Sequence, residues 1–213
     1  DRVLCDVPCT GDGTIRKNSE AGSRWSIFPS INLHMDQKQI LIRGLELVKK
    51  NGLCVYSTCS MNPIEDEAVI SEVIQTIGQD KVEIVDCSAL YPDMKRHPGI
   101  SSWPHIVEAA QNAHKEKLKR KSDQQQGDEE ASATNEANIP NEIAEKGIHV
   151  EAQCNGIEHC MRFYPQDHDS GGFFVAVLRK LDDFDRITEP KPAKELKEAA
   201  YRPVQEASPK ALA

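Results

Sequence analysis

The chain has 213 residues and carries 34 acidic against 26 basic side chains, which gives a formal net charge of -8 at neutral pH. Such a chain does not bind nucleic acid through a general excess of positive charge, so any RNA-binding surface must be local. Hydrophobic residues make up 38% of the chain. This is enough to form a hydrophobic core, but not one to which every part of the chain contributes. We therefore expect one domain with unstructured segments.

The seven cysteines are an odd number and include no Cys-x-x-Cys pair. This usage is typical of a reduced, intracellular protein with free thiols. No apolar run approaches the roughly 20 residues that a membrane-spanning helix needs. We therefore expect no membrane partner.

Apolar periodicity predicts strands and helices that alternate along the chain. The strands are predicted at residues 3–7, 53–57, 82–85 and 173–178, and the helices at residues 33–50 and 63–77. The second helix is expected to have Asn62 as its N-cap, Pro63 in its first turn and Glu65 in a capping box. This order is typical of an α/β fold with a parallel sheet covered by helices.

Composition divides the chain into four parts. Residues 1–114 and 152–185 carry the predicted strands and helices. Residues 115–151 are acidic and rich in Gln, Ala and Asn, and are expected to form a disordered insertion because they have few apolar positions to bury. Residues 186–213 are rich in proline and are expected to be a linker or tail.

Two cysteines directly follow predicted strands, Cys9 in DVPCTG and Cys59 in STCS. The carboxyl ends of neighbouring parallel strands meet at one edge of a sheet, where ligands bind in open α/β folds. We therefore expect both thiols to face one crevice. Cys59 also precedes the predicted second helix, whose dipole favours a thiolate, so Cys59 is the better candidate nucleophile. The competing interpretation is that each is an ordinary buried cysteine.

Asp6 lies three residues before Cys9, at the end of a predicted strand that is otherwise apolar. A carboxylate at such a position costs free energy unless it is paired. It therefore either caps a nearby loop or hydrogen-bonds a ligand, and the sequence leaves both open.

Four segments resemble consecutive motifs of the Nop2/Sun RNA cytosine-5 methyltransferases, most closely the eukaryotic tRNA-modifying branch. They read DVPCTGDGT, LHMDQKQILIRGLELVKKNG, VYSTCSMNPIEDEAV and RFYPQDHDSGGFFVAVL. The resemblance covers residues 1 to about 181 apart from the insertion. It implies the C-terminal half of a Rossmann-like α/β methyltransferase domain that uses S-adenosylmethionine.

The resemblance also implies roles for the residues at the strand ends. Cys59, in the TCS motif, would add to carbon 6 of cytosine, which makes carbon 5 nucleophilic enough to take the methyl group. Cys9, in the PCT motif, would help to remove the carbon 5 proton and release the product. Asp6 would lie between cofactor and base, and Asp6 and Pro8 are the expected cofactor contacts.

Basic residues near these motifs are candidate contacts of the RNA substrate. They are Arg16, Lys17 and Arg24 around the Cys9 loop, and Arg162 and His168 in the late RFYP motif. The competing interpretation is that these are ordinary side chains, because an arginine at a strand end is more often solvated or structurally paired, a loop histidine is more often not a site residue, and three basic residues in a loop are commonplace.

A metal site is not expected. Four possible ligands lie close together in sequence, but their spacing fits no standard zinc pattern; they are His149, Cys154, His159 and Cys160.

The family's Gly-rich cofactor loop and its ribose-binding acidic residue have no counterpart in this sequence. We therefore expect the chain alone to be inactive and to have an exposed sheet edge. The parent enzyme is expected to act on RNA, with tRNA as the expected substrate and the nucleus as the expected location. The alternative is a non-catalytic RNA-binding or interaction fragment. A DNA methyltransferase is disfavoured because those enzymes use one cysteine in a Pro-Cys loop, whereas this chain also has the TCS cysteine.

Overall fold

A computed structural model describes residues 1–17, 25–90, 92–106 and 146–188, together with single positions 22, 108, 112 and 143. The elements in chain order are β1 (Arg2–Asp6), α1 (Phe28–Leu47), β2 (Leu53–Thr58), α2 (Glu67–Ile77), β3 (Val82–Ile84), β4 (His97–Pro98), β5 (Met161–Phe163), α3 (Pro165–His168) and β6 (Phe173–Lys180). All predicted strands and helices are present, which confirms the α/β class.

The six strands form one mixed sheet rather than the parallel sheet that the sequence predicts. β1 and β2 are parallel, with Arg2 opposite Leu53 and Asp6 opposite Ser57. β6 is antiparallel to β2 on one side and to β3 and β5 on the other, and β4 is antiparallel to β5. β3 therefore runs in the same direction as β2 but is separated from it by β6. The order of elements along the chain cannot reveal this insertion of the last strand.

Helix α1 lies directly on β1 and β2. A Cβ on Gly44 would be 2.4 Å from the Cys5 sulfur and 3.1 Å from the Cys54 sulfur, so no larger residue fits there. The helix begins at Phe28 rather than at Leu33, because Pro29 is tolerated in a first turn. α1 is thereby fixed against the two strands whose ends carry the candidate cysteines.

The start of α2 differs from the predicted capping box. The helix begins at Glu67, and residues 63–66 form turns. Asn62 binds the turn before the helix rather than the helix itself: its Oδ1 accepts a hydrogen bond from the Ile64 backbone N at 3.1 Å. Glu65 does not cap the helix: its carboxylate binds the loop that follows β1.

The predicted disordered insertion ends before residue 151. Ile148 is buried in a second apolar cluster with Trp103, and Trp103 Nε1 donates a hydrogen bond to His149 O at 3.2 Å. Residues 146–151 therefore belong to the folded domain, since their apolar side chains find partners that are distant in sequence. The rest of the predicted insertion, apart from Ile143, lies outside the described residues.

The first residues of the predicted tail dock on α1. The Glu46 carboxylate accepts hydrogen bonds from the backbone N of Ile187 and of Thr188, each at 2.8 Å, and from Thr188 Oγ1 at 2.5 Å. The tail prediction therefore begins too early, and residues 189–213 lie outside the described residues.

Strand β1 forms one edge of the described sheet, where it pairs with β2 alone. Leu4 in this strand is 68% exposed, which agrees with the predicted open edge. None of the helices in the described part of the chain is long and apolar enough to cross a membrane.

Candidate active site

Two loops form the candidate active site, one after β1 and one after β2. They leave the sheet at the same edge because β1 and β2 are adjacent and parallel. The loops bring Cys9 Sγ to 3.3 Å from Cys59 Sγ, and both thiols are free and partly buried. The two candidate cysteines therefore share one site.

The expected effect of the helix dipole on Cys59 is absent. α2 begins only at Glu67, well after the cysteine. The dipole acts within about one turn of a helix end. The argument that the dipole favours a Cys59 thiolate is therefore wrong, and the electrostatics of the pair must come from its nearer neighbours.

The two sulfurs lie within hydrogen-bond distance of each other. Burial, together with the hydrogen bond and the charge of Cys59, raises the pKa of Cys9 to about 12. Cys9 therefore keeps its proton at neutral pH, and either sulfur can donate the hydrogen bond between the two thiols. Because the raised pKa of Cys9 keeps that thiol protonated, Cys59 is the better candidate nucleophile of the pair.

One buried carboxylate, Glu65, binds both loops. Its Oε2 accepts hydrogen bonds from Thr10 N at 2.8 Å and from Gln37 Nε2 at 3.1 Å. Its Oε1 accepts hydrogen bonds from Thr10 Oγ1 at 2.5 Å and from Ser60 Oγ at 3.0 Å. Thr10 follows Cys9 and Ser60 follows Cys59, so the carboxylate joins the residues next to the two sulfurs.

Backbone contacts join the same two loops to the start of β6. Gly13 N donates to Cys59 O at 2.9 Å, and Gly172 N donates to Gly13 O at 2.7 Å. A Cβ on Gly13 would lie 2.5 Å from Gly172 O and 2.7 Å from Cys59 O, so only glycine fits. Gly11 has a φ of 69°, in the left-handed region that favours glycine.

Asp12 adds a side-chain contact between the loops. Its Oδ1 accepts a hydrogen bond from the Met61 backbone N at 2.7 Å. Burial raises the pKa of Asp12. Two carboxylates therefore hold the loop after β2: Asp12 of the first loop binds Met61, and Glu65, which follows the second loop, binds Ser60.

Asp6 and Pro8, the expected cofactor contacts, are both exposed at the sheet edge. Ser57 Oγ donates to Asp6 Oδ1 at 2.9 Å, which joins the ends of β1 and β2. Pro8 O accepts a hydrogen bond from Gln37 Nε2 at 2.9 Å. The Asp6 carboxylate is thus paired on one side and remains accessible to a ligand.

Arg162 is a structural residue rather than an RNA contact. It is 2% exposed, its Nε donates to Glu67 Oε1 at 2.6 Å, and its Nη2 donates to Glu67 Oε2. Its Nη1 donates to Met61 O at 3.0 Å. Burial opposes the charged form, yet the bond to Glu67 raises the pKa of Arg162. The predicted RNA contact is wrong, because the guanidinium holds the Cys59 loop against α2.

The other predicted RNA contacts lie at the surface. Arg16 is half-exposed and forms an ion pair with Asp169, and Lys17 is exposed. His168 is exposed and its Nε2 donates to Lys95 O at 2.6 Å. Arg24 lies outside the described residues.

Two open cavities flank the cysteine loops. One of about 640 Å³ lies at the start of β6 and is lined by residues that include Met94, Phe163, His168 and Phe173. The other, of about 630 Å³, follows the free edge of β1 beside Pro8. Among the residues that the structure describes, no group of three or more His, Cys, Asp or Glu side chains is placed to hold a metal ion.

Sequence reasoning missed the roles of Asp12 and Glu65. The available signal was the string IEDEA, in which three successive acidic residues, Glu65 to Glu67, precede an apolar helix. Carboxylates at the start of a buried element cost free energy unless donors meet them. Each of these three does meet donors, although the donors lie on distant parts of the chain.

A protein-family model described as 16S rRNA methyltransferase RsmB/F matches residues 1–179. The multisite-specific tRNA:(cytosine-C(5))-methyltransferase of Saccharomyces cerevisiae is 40% identical over 183 residues, which are 86% of this chain and 24% of that protein. The corresponding trm4b protein of Schizosaccharomyces pombe is 41% identical over 192 residues, which are 90% of this chain and 26% of that protein.

Among solved structures, a methyltransferase homolog protein from Pyrococcus horikoshii is 25% identical, with a TM-score of 0.47 over 85% of this chain and 39% of that chain. The chain spans about a quarter of the length of the two yeast relatives. The family match covers both cysteine loops, α1, α2 and nearly all of β6. The resemblance to the Nop2/Sun proteins is confirmed, and the chain belongs to the RsmB/F methyltransferase family.

Proposed function

We propose that the protein containing this chain transfers a methyl group from S-adenosylmethionine to carbon 5 of cytosine in RNA, with tRNA as substrate. The observation that carries the proposal is the 3.3 Å separation of Cys9 Sγ and Cys59 Sγ at the ends of adjacent parallel strands. Membership of a methyltransferase family supports methyl transfer. The two yeast relatives, which are tRNA cytosine-C5 methyltransferases by name, support cytosine in tRNA.

The proposed reaction begins with Cys59. Its thiol gives its proton to solvent and its sulfur gives an electron pair to carbon 6 of the cytosine, so that the electrons of the C5–C6 double bond become available at carbon 5. Bound at the site, S-adenosylmethionine would supply the electrophilic methyl carbon to carbon 5, and the electron pair of the broken C–S bond would stay on the thioether sulfur of the S-adenosylhomocysteine product. Cys9 is placed to support the attack, because its sulfur lies 3.3 Å from the attacking sulfur, within hydrogen-bond distance.

The release step uses the same pair with the roles changed. In the free protein, burial and then the hydrogen bond and charge of Cys59 raise the pKa of Cys9 to about 12, and bonding of Cys59 to the base removes the two contributions of Cys59. Cys9 can then lose its proton to solvent and take the proton from carbon 5. The electron pair of that C–H bond restores the double bond, the C6–S bond breaks, and its pair returns to Cys59.

The described residues fit the positive end of the cofactor. A sulfonium is a cation, and Asp6 presents an exposed carboxylate at the edge of the sheet that carries both cysteines. Pro8 lines the open cavity beside β1. The motifs of this chain supply only two expected cofactor contacts, Asp6 and Pro8. We therefore expect the chain by itself to transfer no methyl group.

RNA binding is proposed for the surface on the other side of the cysteines. Lys17 and Arg16 can contact phosphates. Phe163 and Phe173 line the open cavity at the start of β6 and offer aromatic faces to an unpaired base. His168 lines the same cavity, and its exposure supports a contact with RNA.

The experiment is methyl transfer to a tRNA transcript by the full-length protein that contains this chain. Cys59→Ala should abolish methylation of carbon 5. Cys9→Ala should form a covalent protein–RNA adduct that resists denaturation, since attack proceeds and release does not. Normal turnover by the Cys9→Ala protein without an adduct would contradict the assigned roles, and unchanged methylation by Cys59→Ala would refute the proposal.

A further inference from the structure

A buried glutamate, Glu65, binds the residues next to both candidate cysteines, although it lies outside the PCT and TCS sequences. Glu65 is fully buried, and its carboxylate accepts hydrogen bonds from three separate parts of the chain. Two bonds come from Thr10, next to Cys9, and one comes from Ser60, next to Cys59.

The carboxylate is itself held in place. The Glu65 backbone N donates to Asn62 O at 2.9 Å, and the Tyr56 hydroxyl donates to Glu65 O at 2.5 Å. Tyr56 is a fully buried residue of β2, so it ties the glutamate to the sheet. Gln37 of α1 donates to both the Glu65 carboxylate and Pro8 O, which adds the helix to the same network.

We propose that Glu65 is a positioning residue, which holds the Cys9 loop against the Cys59 loop so that Cys9 can act on the adduct formed by Cys59. This inference rests on the proposed function. Glu65 touches neither sulfur, and it acts through Thr10 and Ser60.

The effect of losing this carboxylate falls unequally on the two loops. The Cys59 loop keeps a restraint that does not involve the Cys9 loop, because Arg162 of β5 donates a hydrogen bond to Met61 O. The carboxylate accepts two hydrogen bonds from the Cys9 side, from the backbone N and the hydroxyl of Thr10, but only one from the Cys59 side, from Ser60 Oγ. Weakening the network should therefore displace Cys9 more than Cys59 and slow release more than attack.

Glu65→Gln is the main test, because glutamine keeps the shape but replaces one acceptor oxygen with a donor that faces other donors. Single-turnover reactions of the full-length protein with tRNA and S-adenosylmethionine would measure adduct formation and adduct release separately. We expect formation near the parent rate and release slower by on the order of 10- to 100-fold, as for a misplacement of about 1 Å. The adduct should accumulate with the parent Cys9 and Cys59 both present.

Two narrower variants separate the loops. Thr10→Val removes the hydroxyl bond on the Cys9 side and should slow release in the same direction as Glu65→Gln, but less. Ser60→Ala removes the bond on the Cys59 side and should slow adduct formation without accumulation of the adduct. Thr10→Val also keeps the test decisive if Glu65→Gln fails to fold.

Glu83→Gln is the matched control, since Glu83 is a half-exposed residue of β3 paired with Arg179, away from the cysteines. It should leave both rates unchanged. Equal slowing of formation and release by Glu65→Gln and Thr10→Val, or no change in either rate, would overturn the inference. Failure of the proposed function is distinguishable, because then Cys9→Ala would give no adduct either.

Discussion

Replacing Arg162 with Met should strongly destabilise the domain although no active-site atom is removed. The change deletes two hydrogen bonds to Glu67 and one to Met61 O, and it leaves Asp66 and Glu67 buried without their counter-charge. Breaking a buried ion pair by removing one partner costs about 3–5 kcal/mol. For a domain of this size that corresponds to a fall in melting temperature of roughly 6–20 °C.

The assay is thermal unfolding of the full-length protein followed by circular dichroism, with two comparisons. Arg179→Met breaks a half-exposed pair with Glu83 and should cost about 1 kcal/mol or less. Glu67→Gln added to Arg162→Met should recover part of the loss, because one buried charge is removed. A loss for Arg162→Met no larger than that for Arg179→Met would refute the assignment of Arg162 as a structural residue.

The same variant has a predicted pH dependence. Burial raises the pKa of Asp66 well above its usual range, and the charge of Arg162 opposes that rise. Without the arginine the folded-state pKa rises further, so the folded variant binds a proton more tightly than the unfolded chain does. Such a group contributes to the stability of the folded state at low pH, and this contribution is lost as the pH rises through the folded-state pKa. The deficit of Arg162→Met should therefore be smaller at mildly acidic than at neutral pH.

Three further predictions concern the cysteine loops and the RNA surface. Gly13→Ala places a Cβ 2.5 Å from Gly172 O and should cost about 1–3 kcal/mol in thermal unfolding, with a parallel loss of methyl transfer; full stability would contradict the close approach. Because the Cys59 thiol contributes to the raised pKa of Cys9, alkylation of Cys9 at mildly alkaline pH should be faster in Cys59→Ala than in the parent protein, as followed by peptide mass spectrometry; equal rates would contradict this. Lys17→Ala should lower the salt dependence of tRNA binding by about one phosphate contact without changing the melting temperature, and an unchanged slope would remove Lys17 from the RNA surface.

The local elements of the fold could be predicted because their causes are local. Apolar periodicity and the placement of glycines identified each main strand and helix to within a few residues. The pairing of β6 between β2 and β3 could not be predicted, since it depends on contacts between residues far apart in the chain, such as Val177 opposite Val55. The packing of Ile148 beside Trp103 was missed for the same reason.

The candidate site was predictable to the extent that it follows from strand ends. Cys9, Cys59 and Asp6 each lie at or just after the carboxyl end of β1 or β2, so their common edge follows from parallel neighbours. The supporting residues were not predictable, because Glu65 and Arg162 fulfil their roles through partners that only the folded chain brings near. A charged residue in a motif does not reveal whether it faces a ligand or a buried partner.

The most direct test of the central claim is mass-spectrometric mapping of the adduct formed by the Cys9→Ala form of the full-length protein with tRNA and S-adenosylmethionine. The account predicts a methylated cytidine attached to the peptide that contains Cys59, and no adduct when Cys59→Ala is added. An adduct on another residue, or methylated tRNA from the protein with both substitutions, would contradict the account. Tight tRNA binding with neither adduct nor methyl transfer, by the protein with Cys9 and Cys59 intact, would instead favour a binding protein without catalytic activity.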